Sequence, residues 1–129
     1  FSTDFIHNHG VDRIAVRAIS ESFLYGSSGS APTSNPSFPS VSFDFSEQGP
    51  RELIGHFMGH VHDDYYEKIN GVNYFISTSG TPYQKYDTAP PRSENGLDTL
   101  SMNTMVVNRE KRRVDVIKTG SGKDWSFTW

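Results

Sequence analysis

The chain has no cysteine in its 129 residues. Disulfide scaffolds and thiolate metal sites are therefore excluded, and a reducing compartment is permitted without being required. Long apolar runs are also missing. No stretch approaches the roughly 20 residues a membrane-spanning helix needs, and no signal-peptide pattern is visible. Nor is there an excess of positive charge: 12 Lys and Arg stand against 15 Asp and Glu, for a net charge of −3. No general attraction to nucleic acid or to an anionic membrane follows from that balance. The basic cluster Arg109-Glu110-Lys111-Arg112-Arg113 reads as a solvated hairpin turn rather than a phosphate-backbone patch. Internal repeats are absent.

What is present suffices for one ordinary domain, residues 1–129. Apolar residues make up 34%, a modest share even with the 11 glycines counted beside them. Nine Phe, six Tyr and two Trp must then supply much of the core, because aromatic rings bury large areas per residue. The chain opens on Phe1 rather than Met, which points to a processed product or a segment of something longer.

Residues 1–10 hold His7 and His9, which would share one face of an extended segment and read as a polar turn, with a second ligand pair as the alternative. The spacing of Val11, Ile14, Ala15 and Ala18, widened by Ile19 and Phe23, predicts a one-sided helix over 11–25, with Gly26 as its stop. Residues 26–40 have the Ser, Gly and Pro content of a long loop. Val41, Phe43 and Phe45 alternate with polar residues as a half-buried strand does, and 46–50 make a turn. The run Leu53-Ile54-Gly55-His56-Phe57-Met58 reads as a buried strand.

Two histidines, His60 and His62, follow that strand beside Asp63 and Asp64. Imidazole is the commonest metal-ligating side chain, and a pair at a strand mouth next to carboxylates makes half a metal site. Residues 65–69 and 72–78 flank Asn70-Gly71, the signature of a type I′ hairpin, which pins the histidine segment from its far side. Residues 79–99 form a second long loop, in which Tyr83, Tyr86 and Arg92 are placed to contact a ligand or a neighbouring chain. Residues 100–107 and 113–118 predict a final strand pair. Apolar groups on both of its faces suit a sheet covered on both sides. A free tail rarely carries two tryptophans, so Trp125 and Trp129 are expected to dock.

The stretch Leu53–Asp64, with its Gly59-His60-Val61-His62 motif, followed by the Asn70-Gly71 hairpin and Ile76-Ser77-Thr78-Ser79, resembles the C-terminal part of calcineurin-like metallophosphoesterases. The tail Val114–Phe127 resembles the ending of bacterial and phage-type members, and the approach through Val41–Ser46 and Gly49-Pro50 is similar too. The likeness covers about the last two-thirds of the chain. Strand, motif, hairpin and tail in this order are more specific than the short motif alone. The resemblance implies an α+β fold: the C-terminal part of a four-layer αββα sandwich of mostly antiparallel strands, with one N-terminal helix. It implies His60 on one metal and His62 on the other, two divalent ions of the Mn, Fe or Zn class, and hydrolysis of a phosphate ester. Asp63 and Asp64 fit equally as outer partners orienting an imidazole N–H and as caps of the next turn.

The family's Asp-x-His and Gly-Asn-His motifs do not occur in this chain, and no bridging carboxylate or leaving-group acid matches. A missing N-terminal half, or another chain, is thus the implied partner that completes the sandwich. The alternative is a catalytically inactive structural or interaction module, such as a virion component, that keeps the fold. His56, inside the apolar run, reads as a core or rim histidine. Ser121 and Lys123 lie in a Gly-x-Gly loop without a Walker-type pattern.

Overall fold

A computed structural model describes residues 12–58, 64–77, 96 and 100–129. In chain order it contains α1 (Asp12–Tyr25), β1 (Ser28–Pro32), β2 (Ser40–Asp44), β3 (His56–Met58), β4 (Tyr65–Ile69), β5 (Val72–Ile76), β6 (Ser101–Asn108), β7 (Arg113–Gly120) and β8 (Trp125–Thr128). The strands form a β1-β2 ribbon and two three-stranded sheets, ordered β3-β5-β4 and β6-β7-β8. The class is α+β with mostly antiparallel strands; β3 and β5 run parallel. Among the described residues no helix is long and apolar enough to cross a membrane.

The chain divides into two compact units. The first takes Phe1–Leu53 and Ile69–Val72. Its helix stops where the sequence places the stop, at Gly26 with φ 64°. The predicted stripe holds in part: Ala15 is buried and Ala18, Ile19 and Phe23 are half-buried, whereas Ile14 is 48% exposed, and Ser20 and Ser22 outside the stripe are buried.

The long loop expected over 26–40 is in part a strand. Residues 28–32 pair antiparallel with 40–44, Gly29 opposite Phe43 and Ala31 opposite Val41. A Ser-Gly-Ser-Ala-Pro sequence carries no strand propensity, so the pairing comes from its partner strand and from the ring of Phe43, which leaves little room beside Gly29. Phe45 meets Phe23 of the helix edge-on, with ring centroids 5.6 Å apart. In the same unit, Tyr25 Oη donates to Asn70 O at 2.8 Å, and Asn70 Nδ2 donates to Glu21 Oε1 at 2.9 Å. Asn70 and Gly71 have φ of 48° and 83°. Both central positions of a type I′ turn need such positive values, and Asn-Gly is the pair that adopts them at least cost.

The second unit takes Ile54–Lys68 and Asn73–Trp129. Its two sheets share one core of Phe75, Val114, Val116 and Phe127, with Ile54, Tyr66, Trp125 and Trp129 packed against it. Rings bridge the sheets: Phe75–Trp125 at 4.4 Å, and Tyr66–Trp125 and Tyr66–Phe127 at 5.3 Å. Both tryptophans dock, as the tail composition predicts. β5 is buried along its whole length, as expected of a central strand covered on both faces.

Two expectations are corrected here. The strand read over 53–58 is confined to His56–Met58, and Phe57 is 42% exposed. The segment pairs on one side only among the described residues, so an edge position replaces the buried one that its apolar content suggests. The β6-β7-β8 sheet is not covered on both faces by described residues. Met102, Val106 and Ile117 share its outer face by register and are all exposed. The Arg109–Arg113 cluster is the exposed turn of the β6–β7 hairpin, as read from the sequence, with Arg112 at φ 48°.

Candidate functional site

The motif residues His60 and His62, with Asp63, lie outside the described residues, as do His7 and His9. Most of the loop at 79–99, with Tyr83, Tyr86 and Arg92, does too. What the structure does place is the two flanks of the motif, Met58 and Asp64. Among the described residues no group of three or more His, Cys, Asp or Glu side chains is arranged to hold a metal ion.

The entering flank is β3. Its parallel register sets His56 beside Tyr74, Phe57 beside Phe75 and Met58 beside Ile76. One residue further on, Ser77 N donates to Met58 O at 2.9 Å, so the backbone bond reaches the last described residue before the motif. The approach to β3 is fixed by Asn73, which is 1% exposed. Its Nδ2 donates to Ile54 O at 2.9 Å and to Thr128 O at 3.3 Å, and its Oδ1 accepts from Tyr66 Oη at 2.8 Å. One buried amide thus ties together the segment before β3, the strand after the motif and β8.

His56 is half-buried and stacks on Tyr74, with ring centroids 5.4 Å apart and an interplanar angle of 12°. Burial lowers its pKa, because an imidazolium loses hydration there. That environment suits a neutral, packed imidazole. Burial also raises the pKa of Tyr66. Tyr66 is a core residue, consistent with a sheet-face role. The pKa of Tyr65 is raised first by burial and then by the neighbouring Glu67.

The leaving flank is Asp64. Lys118 Nζ donates to its Oδ1 at 2.8 Å, and the Lys118 and Asp64 side chains are 2% and 19% exposed. β7 alternates so that Val114 and Val116 turn into the core, and Lys118 is the next residue on that face. The pair is framed by Gly122 at φ 121°. A Cβ there would lie 2.6 Å from Asp64 Oδ2 and 2.7 Å from Lys118 Cε. The φ of 121° favours glycine, because side-chain-bearing residues rarely adopt it; the two crowded groups are ends of flexible side chains that can shift. Ser121, read from the sequence as part of a Gly-x-Gly loop, is buried, whereas Lys123 is exposed.

Sequence reasoning missed Lys118, Gly122 and Asn73. A signal for Lys118 was present, a lysine in phase with two valines on the apolar face of a strand. Asn73 had a comparable one, an amide in the middle of Val72-Asn73-Tyr74-Phe75-Ile76. No protein-family model matches this chain, and neither a curated protein nor a solved structure matches it.

Proposed function

We propose that this chain is the C-terminal part of a dinuclear metallophosphoesterase that hydrolyses a phosphate ester. Gly59-His60-Val61-His62 would supply one imidazole to each of two divalent ions of the Mn, Fe or Zn class. The remaining ligands would come from a preceding half of the polypeptide or from another chain that completes the sandwich. When bound, such a pair of ions clamps phosphate oxygens, lowers the pKa of a bridging water and neutralises charge developing at phosphorus.

The observation that carries this reading is the order of elements around the motif. A short edge strand of the β3-β5-β4 sheet enters it, a type I′ hairpin leaves it, and an aromatic tail packs on the core of the same unit. Its two flanks are held by Ser77 and by Lys118, so imidazoles between them would start from fixed points. Asp63 and Asp64 would serve either as outer partners that orient those imidazoles or as caps of the next turn, and Asp64 Oδ1 accepts from Lys118 Nζ at 2.8 Å.

The test uses the complete native polypeptide with p-nitrophenyl phosphate and its bis ester, with and without Mn²⁺. Metal-dependent turnover is expected, and replacing both His60 and His62 by Ala should abolish it. Unchanged turnover in that double variant refutes the reading. One observation favours a second reading, a catalytically inactive structural or interaction module: this chain contains no Asp-x-His and no Gly-Asn-His. That reading expects no metal-dependent activity from the complete assembly and little effect of removing the histidines.

A further inference from the structure

We propose that the edge of β6 is a self-association surface. Two copies of this chain join by antiparallel β6–β6 pairing about a two-fold axis at Thr104. The inference stands apart from the metal-site reading.

Edge strands present a row of backbone groups to any passing strand, and proteins blunt them by shortness, charge or proline. Among the described residues, every strand that ends a sheet or ribbon is blunted in this way except β6. β3 has three residues and β8 has four. β4 carries Glu67 and Lys68, β1 ends on Pro32 and β2 ends on Asp44. β6 is eight residues long and contains neither a charge nor a proline. It pairs only with β7 among the described residues.

One bond sets the direction of its backbone groups. Ser121 N donates to Leu100 O at 2.9 Å, one step beyond the Ser101–Gly120 pair. Bonded and non-bonded pairs alternate along an antiparallel ladder. Met102, Thr104 and Val106 therefore bond β7, and the N–H and C=O of Asn103, Met105 and Val107 point the other way, along the outer edge. Exposed apolar side chains flank that edge on both faces, Met102 and Val106 on one, Met105 and Val107 on the other. A row of amides takes another strand, and apolar groups on both faces favour a strand with the same two-faced pattern.

A second β6 has that pattern. A two-fold axis normal to the sheet keeps matching faces on one side. With the axis at Thr104, Met102 stands opposite Val106 of the second copy, and Asn103 opposite Met105 of that copy. Moving the axis to Met105 would set Val106 against Thr104 and lose both Met–Val pairs. The 101–107 stretch spans about 24 Å, a contact of the small, reversible class. The pairing also closes, because the edges left over are the four-residue β8 strands.

The test is sedimentation velocity of the complete polypeptide from about 10 µM to about 1 mM, the range in which a small interface assembles. A monomer–dimer equilibrium is expected, with amide exchange at 103, 105 and 107 slowing as the dimer forms. Thr104 is exposed, so a charge there should leave the urea midpoint unchanged. Thr104→Lys and Thr104→Glu each set like charges against one another on the axis and should weaken the dimer at least about tenfold. Mixing the two variants should restore it as a heterodimer.

A chain that stays single over the whole range overturns the proposal. Slow exchange at 103, 105 and 107 in that single chain would show that another part of the polypeptide covers the edge, and fast exchange would leave it to a different partner. A dimer that neither variant weakens joins elsewhere and also overturns it. So does a weakened dimer that mixing fails to restore, or an assembly that grows past two copies. Should either variant lower the urea midpoint, the wild-type exchange data decide: a dimer that forms without slowing at 103, 105 and 107 does not use this edge.

Discussion

Replacing Asn73 by Leu tests how the approach to the motif is held. The side chains are similar in volume, so the change removes hydrogen bonds without opening a large cavity. Three partners lose the amide: Tyr66 Oη, Ile54 O and Thr128 O. Thr128 is exposed, its bond is the longest at 3.3 Å, and Lys68 Nζ lies 3.4 Å from the same carbonyl, so little cost falls there. The cost falls on the Tyr66 hydroxyl and the Ile54 carbonyl, both partly buried. Leaving such a group unsatisfied costs about 1–3 kcal/mol. Burying leucine in place of an amide returns up to about 2 kcal/mol.

The net expectation is a loss of about 1–3 kcal/mol, read as a lower urea midpoint with an unchanged slope. Adding Tyr66→Phe removes the stranded hydroxyl. The double variant should therefore be at least about 0.5 kcal/mol more stable than the sum of the single changes predicts, the sign of two directly coupled groups. If Asn73→Leu lies within about 0.5 kcal/mol of wild type, or the two changes simply add, the amide does not organise this region.

Two further outcomes follow from the packing and electrostatics. Phe127 is buried against Phe57, Tyr66 and Trp125, so Phe127→Ala should cost about 3–5 kcal/mol, whereas Ile117→Ala on the exposed face of the same sheet should stay within about 0.5 kcal/mol. Comparable losses from both in urea titrations would show that the outer face is covered in solution. The pKa of His56 is lowered by burial, so the folded state binds fewer protons than the unfolded one below the ordinary histidine value of about 6.5. Its share of stability is intact above that pH and is lost as the pH falls below it toward the lowered folded value. His56→Phe, which keeps a ring on Tyr74, should lose less stability than wild type between pH 7 and 5; an equal or larger loss contradicts the assignment.

The legible elements were those whose signal is local. The I′ hairpin could be read from Asn70-Gly71 because positive φ at two successive positions is a property of those residues themselves. The docking of Trp125 and Trp129 followed from their hydrophobic area. The strand at 28–32 could not be read, because its small polar residues are extended only through a partner strand. The exposure of Phe57 was hidden for the opposite reason: its apolar run looks the same at an edge as in the middle of a sheet.

The sequence alone therefore determined part of the local punctuation of this protein: where its helix stops, where the Asn70-Gly71 and Arg109–Arg112 hairpins turn, and that Trp125 and Trp129 dock. Those outcomes depend on backbone conformations and transfer free energies that each residue carries with it. Tertiary structure alone decided that Lys118 meets Asp64 and that Asn73 meets Ile54, Tyr66 and Thr128. Contacts between residues far apart in the chain exist only once two sheets have closed on one core, and no short window of sequence contains both partners.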